Sequence, residues 1–402
     1  MNKKKVITLF SSIVFAGGVL AGCSSDTEET STDKKEEASV EQVEEQQTSD
    51  ETTEVSVEDS ITSKQIEAYK LMIEELGNAK EGNPVDWDKV GSLYEADLQD
   101  AVTETNGDFD QAIVTAKDAA AAGELDANIA KQIIDKLTQS YFYHKQKSLH
   151  KDVIAFLEEE KQADAELAFA ELKLLAEEVI IPTAVKRDSY YELTDTSSME
   201  QSIQAGLAAQ EIALNEGNIE DFSVLVQLTD KSIYRSYYLA AQSYAEKIEA
   251  AVAEGNADEL NLTIMQAEAW GFFQAIKGSL SGGDEAAAQQ LDELFSLNMT
   301  NPVDIKAEQV HDLFTKAFVG KSKVYHGKVV TALEEGNVNE ATIEALEGNM
   351  FVKAIELELG DDRIALLEQA EKWYDAVSEN KGDEAAPISE SIVATLDKLI
   401  NE

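Results

Sequence analysis

Cysteine is almost absent from this sequence, and so are the usual motifs of enzymes. Cys23 is the only cysteine, which excludes a fold stabilised by internal disulfides. The sequence contains no Gly-x-Ser-x-Gly, no phosphate-binding loop and no His-Glu-x-x-His. With its one cysteine near the N-terminus and no other nucleophile motif, the chain is predicted not to be an enzyme.

Positive charge is also scarce. The sequence has 33 lysines and arginines against 79 aspartates and glutamates, a formal net charge of −46, and its only arginines are Arg187, Arg235 and Arg363. A field of this sign repels the phosphates of nucleic acids, so we exclude a nucleic-acid partner. The acidic surface serves solubility or collects cations, and charge alone does not separate these two alternatives.

The N-terminus predicts the location of the protein. Three lysines, Lys3 to Lys5, precede an apolar run from Val6 to Ala21 that is short for a membrane span and typical of a secretory signal. The run ends in Leu20-Ala21-Gly22-Cys23. This motif resembles the lipobox of bacterial lipoproteins. The resemblance implies removal of residues 1–22, acylation of Cys23 with chains such as palmitate, and anchoring on the extracytoplasmic face of the cell membrane.

The composition divides the rest of the chain into two parts. Residues 23–60 contain no aromatic side chain and many Ser, Thr and Glu, which predicts a disordered acidic tether behind the lipidated cysteine. Residues 61–402 are long enough to bury a large core and form the predicted folded domain. A possible sub-boundary lies near 182–198.

Proline is rare in the predicted domain, and no run alternates apolar and polar residues as a strand does. Apolar residues instead recur at helical spacing, which predicts an all-α fold. The segments "NEGN" at 215, "AEGN" at 253 and "EEGN" at 334 place Gly after an amphipathic run, where a helix ends in a left-handed residue. We therefore expect a bundle of antiparallel helical hairpins.

Three stretches of the domain align as divergent repeats. Their first helices start at 142, 237 and 318, and their second helices start at 170, 267 and 346. In the second helices Glu171, Glu268 and Glu347 share one column inside an apolar stripe. Repeats of this kind bury a shared core by stacking.

Two of the first helices carry a histidine at the same position, His150 and His326. Counting residues from each hairpin loop places His150 opposite Glu171 and His326 opposite Glu347. Three interpretations are open: a His–Glu hydrogen bond that fixes the register, a site for a divalent metal such as Zn, Fe or Mn, or a register error that separates the residues. The metal hypothesis is short of ligands, because each pair supplies two.

The second repeat has Ala245 in place of the histidine, so Glu268 needs another partner. Candidates are Tyr238, Tyr244 and Arg235, which would then contribute to a ligand-binding pocket. Other aromatic residues cluster on the same helices and are predicted to be core; they are Tyr141, Phe142, Tyr143, Tyr234 and Tyr237. His144 lies outside the repeat columns and is predicted to be at the surface.

Together these observations predict a non-catalytic surface lipoprotein whose helical repeats bind a ligand, a metal ion or another cation being favoured. The alternative is a structural or adhesive envelope protein that acts through contacts with another protein. Ligand binding requires a pocket lined by the glutamate column, whereas a scaffold requires that column to be sealed and internally paired.

Overall fold

The computed structural model describes residues 56–256 and 258–401. In these residues every regular element is helical and none is a strand, which confirms the all-α prediction. The predicted signal peptide, Cys23 and nearly all of the predicted tether lie outside the described residues. None of the described helices is long and apolar enough to cross a membrane.

The α-helices vary in length from 7 to 35 residues. They are α1 Ile61–Lys80, α2 Trp87–Asp97, α3 Gln99–Thr105, α4 Gly107–Ala121, α5 Ala127–Glu158, α6 Gln162–Leu175, α7 Ile181–Tyr190, α8 Met199–Asn215, α9 Ile219–Ala253, α10 Glu259–Ser281, α11 Glu285–Phe295, α12 Ala307–Glu334, α13 Val338–Ala354, α14 Arg363–Ser378 and α15 Gly382–Leu399. Short 3₁₀ helices cover Val57–Asp59, Asp195–Ser197, Pro302–Asp304 and Gly360–Asp362.

Three long helices, α5, α9 and α12, organise the packing. Each packs against the helix that follows it in the chain, which is α6, α10 and α13 respectively. In addition, α10 packs against α5 and α13 packs against α9. Helices α5 and α9 therefore each lie against two shorter helices, their own successor and the successor of the next long helix.

The predicted glycine helix ends are confirmed. Gly217, Gly255 and Gly336 all have positive φ, between 62° and 75°, which residues with a side chain adopt at a cost. Asn218 and Asn337 then accept a backbone N–H in the first turn of α9 and of α13. These local signals give the chain its short connections, and the short connections place successive helices side by side.

A π-helical turn over Ala176–Ile180 joins α6 to α7. Pro182 lies at the start of α7. Proline has no backbone N–H, so a continuous α-helix through this position would lack one hydrogen bond of its ladder. Helix α6 packs on α5, α1 and α8, while α7 packs on α9 and α8. The neighbouring helices therefore change at the π-helical turn, from α5 and α1 before it to α9 after it.

The predicted aromatic core is confirmed. Tyr141, Phe142, Tyr143, Tyr234, Tyr237 and Tyr238 are each at most 2% exposed. Tyr238 packs edge-on against Phe314 at 4.8 Å between ring centroids, and Tyr234 packs likewise against Phe351 at 5.6 Å. His144 is half-buried beside Phe109, so the prediction of a surface position was wrong.

Candidate functional site

The first predicted His–Glu pair is not formed. His150 is buried on α5, and its Nε2 lies 3.2 Å from Oε1 of Gln210 on α8, while its Nδ1 has no partner. Glu171 on α6 instead accepts a hydrogen bond from the Thr62 hydroxyl on α1. Burial lowers the pKa of His150 to about 4, so the imidazole is neutral at pH 7.

The second predicted pair is not formed either. The Nδ1 of His326 lies 2.7 Å from the Ser389 hydroxyl on α15, and its ring stacks on Trp373 at 3.8 Å with an interplanar angle of 13°. Burial lowers the pKa of His326 to about 4. The two histidines are thus neutral core groups that face away from the glutamate column.

Glu347 belongs instead to a buried ionic group that we name the second charged cluster: Asp230, Lys231, Tyr325, Glu347 and Phe351. Lys231 on α9 lies 2.6 Å from Asp230 and 2.8 Å from Glu347 on α13. Tyr325 donates its hydroxyl to Glu347 and stacks on Phe351 at 5.4 Å. Burial alone would lower the pKa of Lys231, but Asp230 and Glu347 outweigh it and hold the ammonium charged.

An equivalent set, which we name the first charged cluster, lies between α5, α9 and α10. Its members are Asp135, Lys136, Tyr244, Glu268 and Phe272. Lys136 lies 2.6 Å from Asp135 and 4.9 Å from the centre of the Phe272 ring. Burial and the nearby Glu268 charge raise the pKa of the Tyr244 hydroxyl, and the Tyr244 ring stacks on Phe272. Burial raises the pKa of Glu268, and the Lys136 charge opposes that rise only in part.

The correspondence extends to a flanking lysine. Lys247 lies 4.4 Å from the centre of the Tyr244 ring, and Lys328 lies 4.4 Å from the centre of the Tyr325 ring. Cations over tyrosine faces stabilise both rings. In each cluster the aspartate and first lysine come from one long helix, the tyrosine from the next long helix, and the glutamate from the shorter helix after it.

Of the three residues suggested as partners of Glu268, one lies beside it and two do not. Tyr244 is the neighbour, and its hydroxyl lowers the pKa of Glu268 against the effect of burial. Tyr238 packs against Phe314 and Phe318, and Arg235 lies 2.6 Å from Glu356. Arg235 and Tyr238 therefore belong to other parts of the core.

The described residues contain no group of three or more His, Cys, Asp or Glu side chains that could hold a metal ion. His150, Glu171, His326 and Glu347 each contact a different protein group, as given above. One His–carboxylate contact was not predicted: Nε2 of His311 lies 3.0 Å from Glu246, and its Nδ1 lies 3.7 Å from Glu358. Burial would lower the pKa of His311, but the two carboxylates raise it.

A cleft of about 700 Å³ opens between α4, the start of α5, α10 and the loop at 296–298. Its apolar wall contains Leu125, Ile129 and the half-buried ring of Trp270. Asp108 and Glu124 supply carboxylates at its polar side, and the described residues that line it include no Lys, Arg or His. The volume is within the range of small-molecule sites, about 300–1,000 Å³.

A second, smaller cavity of about 400 Å³ lies beside Glu171, between α1, α5 and α6. Its lining combines Asp152 and Asp164 with Lys145 and Phe156. Of the predicted glutamate column, Glu171 is the member that borders this space. Its carboxylate is already engaged by Thr62, so the cavity offers a cation a weaker set of ligands than the sequence suggested.

Comparison with known proteins returns no relative: the chain matches no family model, and no curated protein or solved structure is significantly similar to it.

Sequence reasoning missed the lysines of the charged clusters and the whole of the large cleft. The lysines had a readable signal, because Asp135-Lys136 recurs 95 residues later as Asp230-Lys231, the same spacing that relates the first two predicted repeats. The cleft had none. Its residues come from four separate segments whose approach depends on tertiary packing.

Proposed function

We propose that this chain is a non-catalytic, lipid-anchored extracytoplasmic protein that binds a small organic cation in the cleft bordered by Trp270. The observation that carries the proposal is the lining of this cleft. An aromatic face, an aliphatic wall and two carboxylates surround a volume suited to a small molecule.

The charges around the cleft favour a positive ligand. A cation over the face of a tryptophan gains about 0.5–2 kcal/mol, and more when water is excluded. Asp108 and Glu124 add attraction, and the net charge of −46 raises the local concentration of cations. An organic cation fits better than a metal ion, because the described residues provide no group of metal ligands.

The anchoring part of the proposal rests on Leu20-Ala21-Gly22-Cys23 and the basic and apolar residues before it. Replacement of Cys23 by Ser is expected to release the protein from the membrane fraction and to abolish labelling with radioactive palmitate. Retention of the mutant in that fraction would contradict the lipid anchor.

The ligand class can be tested with three probes of similar shape. Benzyltrimethylammonium is the cation, benzyl alcohol the neutral probe and phenylacetate the anion. The full chain in detergent is titrated with each, and tryptophan fluorescence is followed. We expect saturable quenching by the cation at concentrations at least tenfold below those needed for the other two probes.

Matched variants assign the signal to the cleft. The chain has three tryptophans, of which Trp87 begins α2, outside the cleft lining, and Trp373 is buried against His326. Trp270→Leu is expected to remove the quenching, whereas Trp87→Phe is expected to leave it unchanged. Equal binding of all three probes would contradict a cation site, and a response that survives in Trp270→Leu would place binding elsewhere.

We also propose that the domain is built from three divergent helical hairpins. Support comes from the two charged clusters, which repeat the same five residue types from corresponding helices. The pattern extends to α1, because α1 packs on α6 and contacts Glu171 through Thr62, as α5 packs on α10 and α9 packs on α13.

A structural or adhesive role is the second candidate, and one observation favours it. All three glutamates of the predicted column have internal partners, as a scaffold requires. If the cleft binds none of the three probes, pull-down of envelope proteins by the anchored chain becomes the relevant measurement.

A further inference from the structure

Three basic side chains, Arg235, Lys353 and Arg363, meet around the end of α13. Nη2 of Arg235 lies 2.6 Å from Oε1 of Glu356, and Nη2 of Arg363 lies 3.1 Å from Oε2 of the same carboxylate. Nη2 of Arg363 also donates to the Ser197 hydroxyl at 2.7 Å. Because a guanidinium has five N–H donors, Nε and Nη1 of Arg363 keep donors for another acceptor.

Lys353 adds a third cation to this group, and Glu371 a second carboxylate. Burial, followed by the charge of Arg235, lowers the pKa of Lys353 to about 8 against the pull of Glu356 and Glu371. Three cations thus lie close to Glu356 and Glu371, and the carboxylates of Asp375 and Glu368 also act on Glu371. Surface carboxylates more than about 8–10 Å from this group repel a small anion only weakly, because salt screens exposed charges beyond that distance.

A cavity of about 70 Å³ lies inside this group. Donors reach it from Thr196, Lys353 and Arg363, and acceptors reach it from Asn349 and Glu371. Asn349 is 4% exposed; its Nδ2 donates to the Ala370 carbonyl at 2.6 Å, which leaves its Oδ1 buried without a partner. An unpaired buried acceptor is costly, so this atom indicates a missing donor in the cavity.

We propose that this cavity binds inorganic phosphate as the monohydrogen ion. The anionic oxygens accept from Arg363, Lys353 and Thr196, and the P–OH donates to Asn349 Oδ1 or to Glu371. Sulfate carries no proton at neutral pH and cannot supply that donor. A phosphodiester of a lipid headgroup also lacks it, and a phosphomonoester, whose second pKa is about 6, is mostly deprotonated at pH 7.5.

The test is equilibrium dialysis of the full chain in detergent against radiolabelled phosphate at pH 7.5 and constant ionic strength. We expect one phosphate per chain, displaced by arsenate, which also keeps a proton. Glycerol phosphate is expected to displace it at least fivefold less effectively, and sulfate at a tenfold excess not at all. Absence of binding, or displacement by sulfate as effective as by arsenate, would overturn the proposal.

Variants place the ion in the cavity. Arg363→Gln is expected to weaken phosphate binding at least tenfold, and Thr196→Val, at an exposed position, by a smaller factor. Lys372→Gln removes the same charge from an exposed site on α14 and is expected to change nothing. Glu371→Gln replaces an acceptor with an amide that also donates, so it is expected to let sulfate compete. Unchanged binding in both Arg363→Gln and Thr196→Val would refute this location.

Discussion

The two charged clusters contain the same residue types and differ in how the glutamate is held. In the second cluster Lys231 bridges Asp230 and Glu347 at 2.6 and 2.8 Å. In the first, Lys136 forms its ion pair with Asp135 and acts on the Glu268 carboxyl as a nearby charge. The result is a compact ion triad in one place and a carboxyl with a raised pKa in the other.

The difference arises from how closely the helices approach. Three residues after Glu268 lies Gly271, and a Cβ built there would come within 2.4 Å of the Lys136 Cβ. The corresponding position after Glu347 is Met350, a large buried side chain. In addition, Tyr69 and Gln139 donate to Asp135, each at 2.7 Å, whereas Asp230 accepts one such bond among the described residues, from Gln146 at 2.8 Å. The two clusters share their residue types. The distance between the packed helices and the number of donors to the aspartate therefore decide which carboxylate the buried lysine binds.

The largest expected effect follows removal of the bridging lysine. Lys231→Met leaves Asp230 and Glu347 buried without their cation, which costs about 3–5 kcal/mol. Lys136→Met is expected to cost less, about 1–3 kcal/mol, because Asp135 keeps its hydrogen bonds to Tyr69 and Gln139. Urea unfolding of the two variants measures the difference. Equal losses would show that the clusters are energetically the same.

The next effect concerns the close approach of α5 and α10. Gly271→Ala is expected to destabilise by about 1–3 kcal/mol, because the new methyl group overlaps Lys136. Gly278 lies on the same helix with no atom within 4 Å of a built Cβ. Gly278→Ala is the control and should stabilise by about 0.5–1 kcal/mol through helix propensity. Thermal unfolding that moves in the same direction for both would contradict the contact.

A smaller effect distinguishes the glutamates by pH. Because the pKa of Glu268 is raised in the folded state, the folded protein binds more protons there than the unfolded chain does above about pH 4.5. The contribution of this carboxyl to the free energy of unfolding therefore decreases as the pH rises through the pKa that Glu268 has in the folded protein. Glu268→Gln removes the ionisation, so its stability relative to wild type should improve between pH 5 and pH 7. Glu347→Gln, which loses the Lys231 ion pair, should be destabilised at pH 7. Guanidinium unfolding at the two pH values measures both.

The smallest expected effect is a coupling close to zero. His150 and Glu171 contact Gln210 and Thr62, so a double-mutant cycle of His150→Gln and Glu171→Gln should be additive within about 0.5 kcal/mol. The same cycle on Lys231 and Glu347 should show coupling above 1 kcal/mol. A coupled first pair would restore the predicted His–Glu contact.

The sequence predicted what local physics determines. Helical spacing specified the all-α class, and Gly217, Gly255 and Gly336 end helices where a left-handed residue is needed. The glutamate column was located in a buried stripe because burial follows the 3.6-residue period. The lipobox and nearly all of the tether stay predictions, since they lie outside the described residues. The sub-boundary near 182–198 also stays a prediction.

Partner choice was beyond sequence reasoning because it depends on helices that are distant in the sequence. Counting along one hairpin placed His150 opposite Glu171, but α6 turns Glu171 toward α1 and α5 turns His150 toward α8. The lysines that act on Glu268 and Glu347 lie on α5 and α9, at 132 and 116 residues upstream. The Trp270 cleft likewise joins segments that no local pattern relates.

The π-helical turn at Ala176–Ile180 has a consequence for insertions and deletions. A π turn holds one residue more than an α turn, and one residue corresponds to about 100° of rotation around a helix axis. The extra residue therefore rotates α7 relative to α6, and this phase shift directs Arg187 to Ser243 on α9. Removing one residue here would leave the composition almost unchanged yet rotate every side chain of α7 by more than a quarter of a turn.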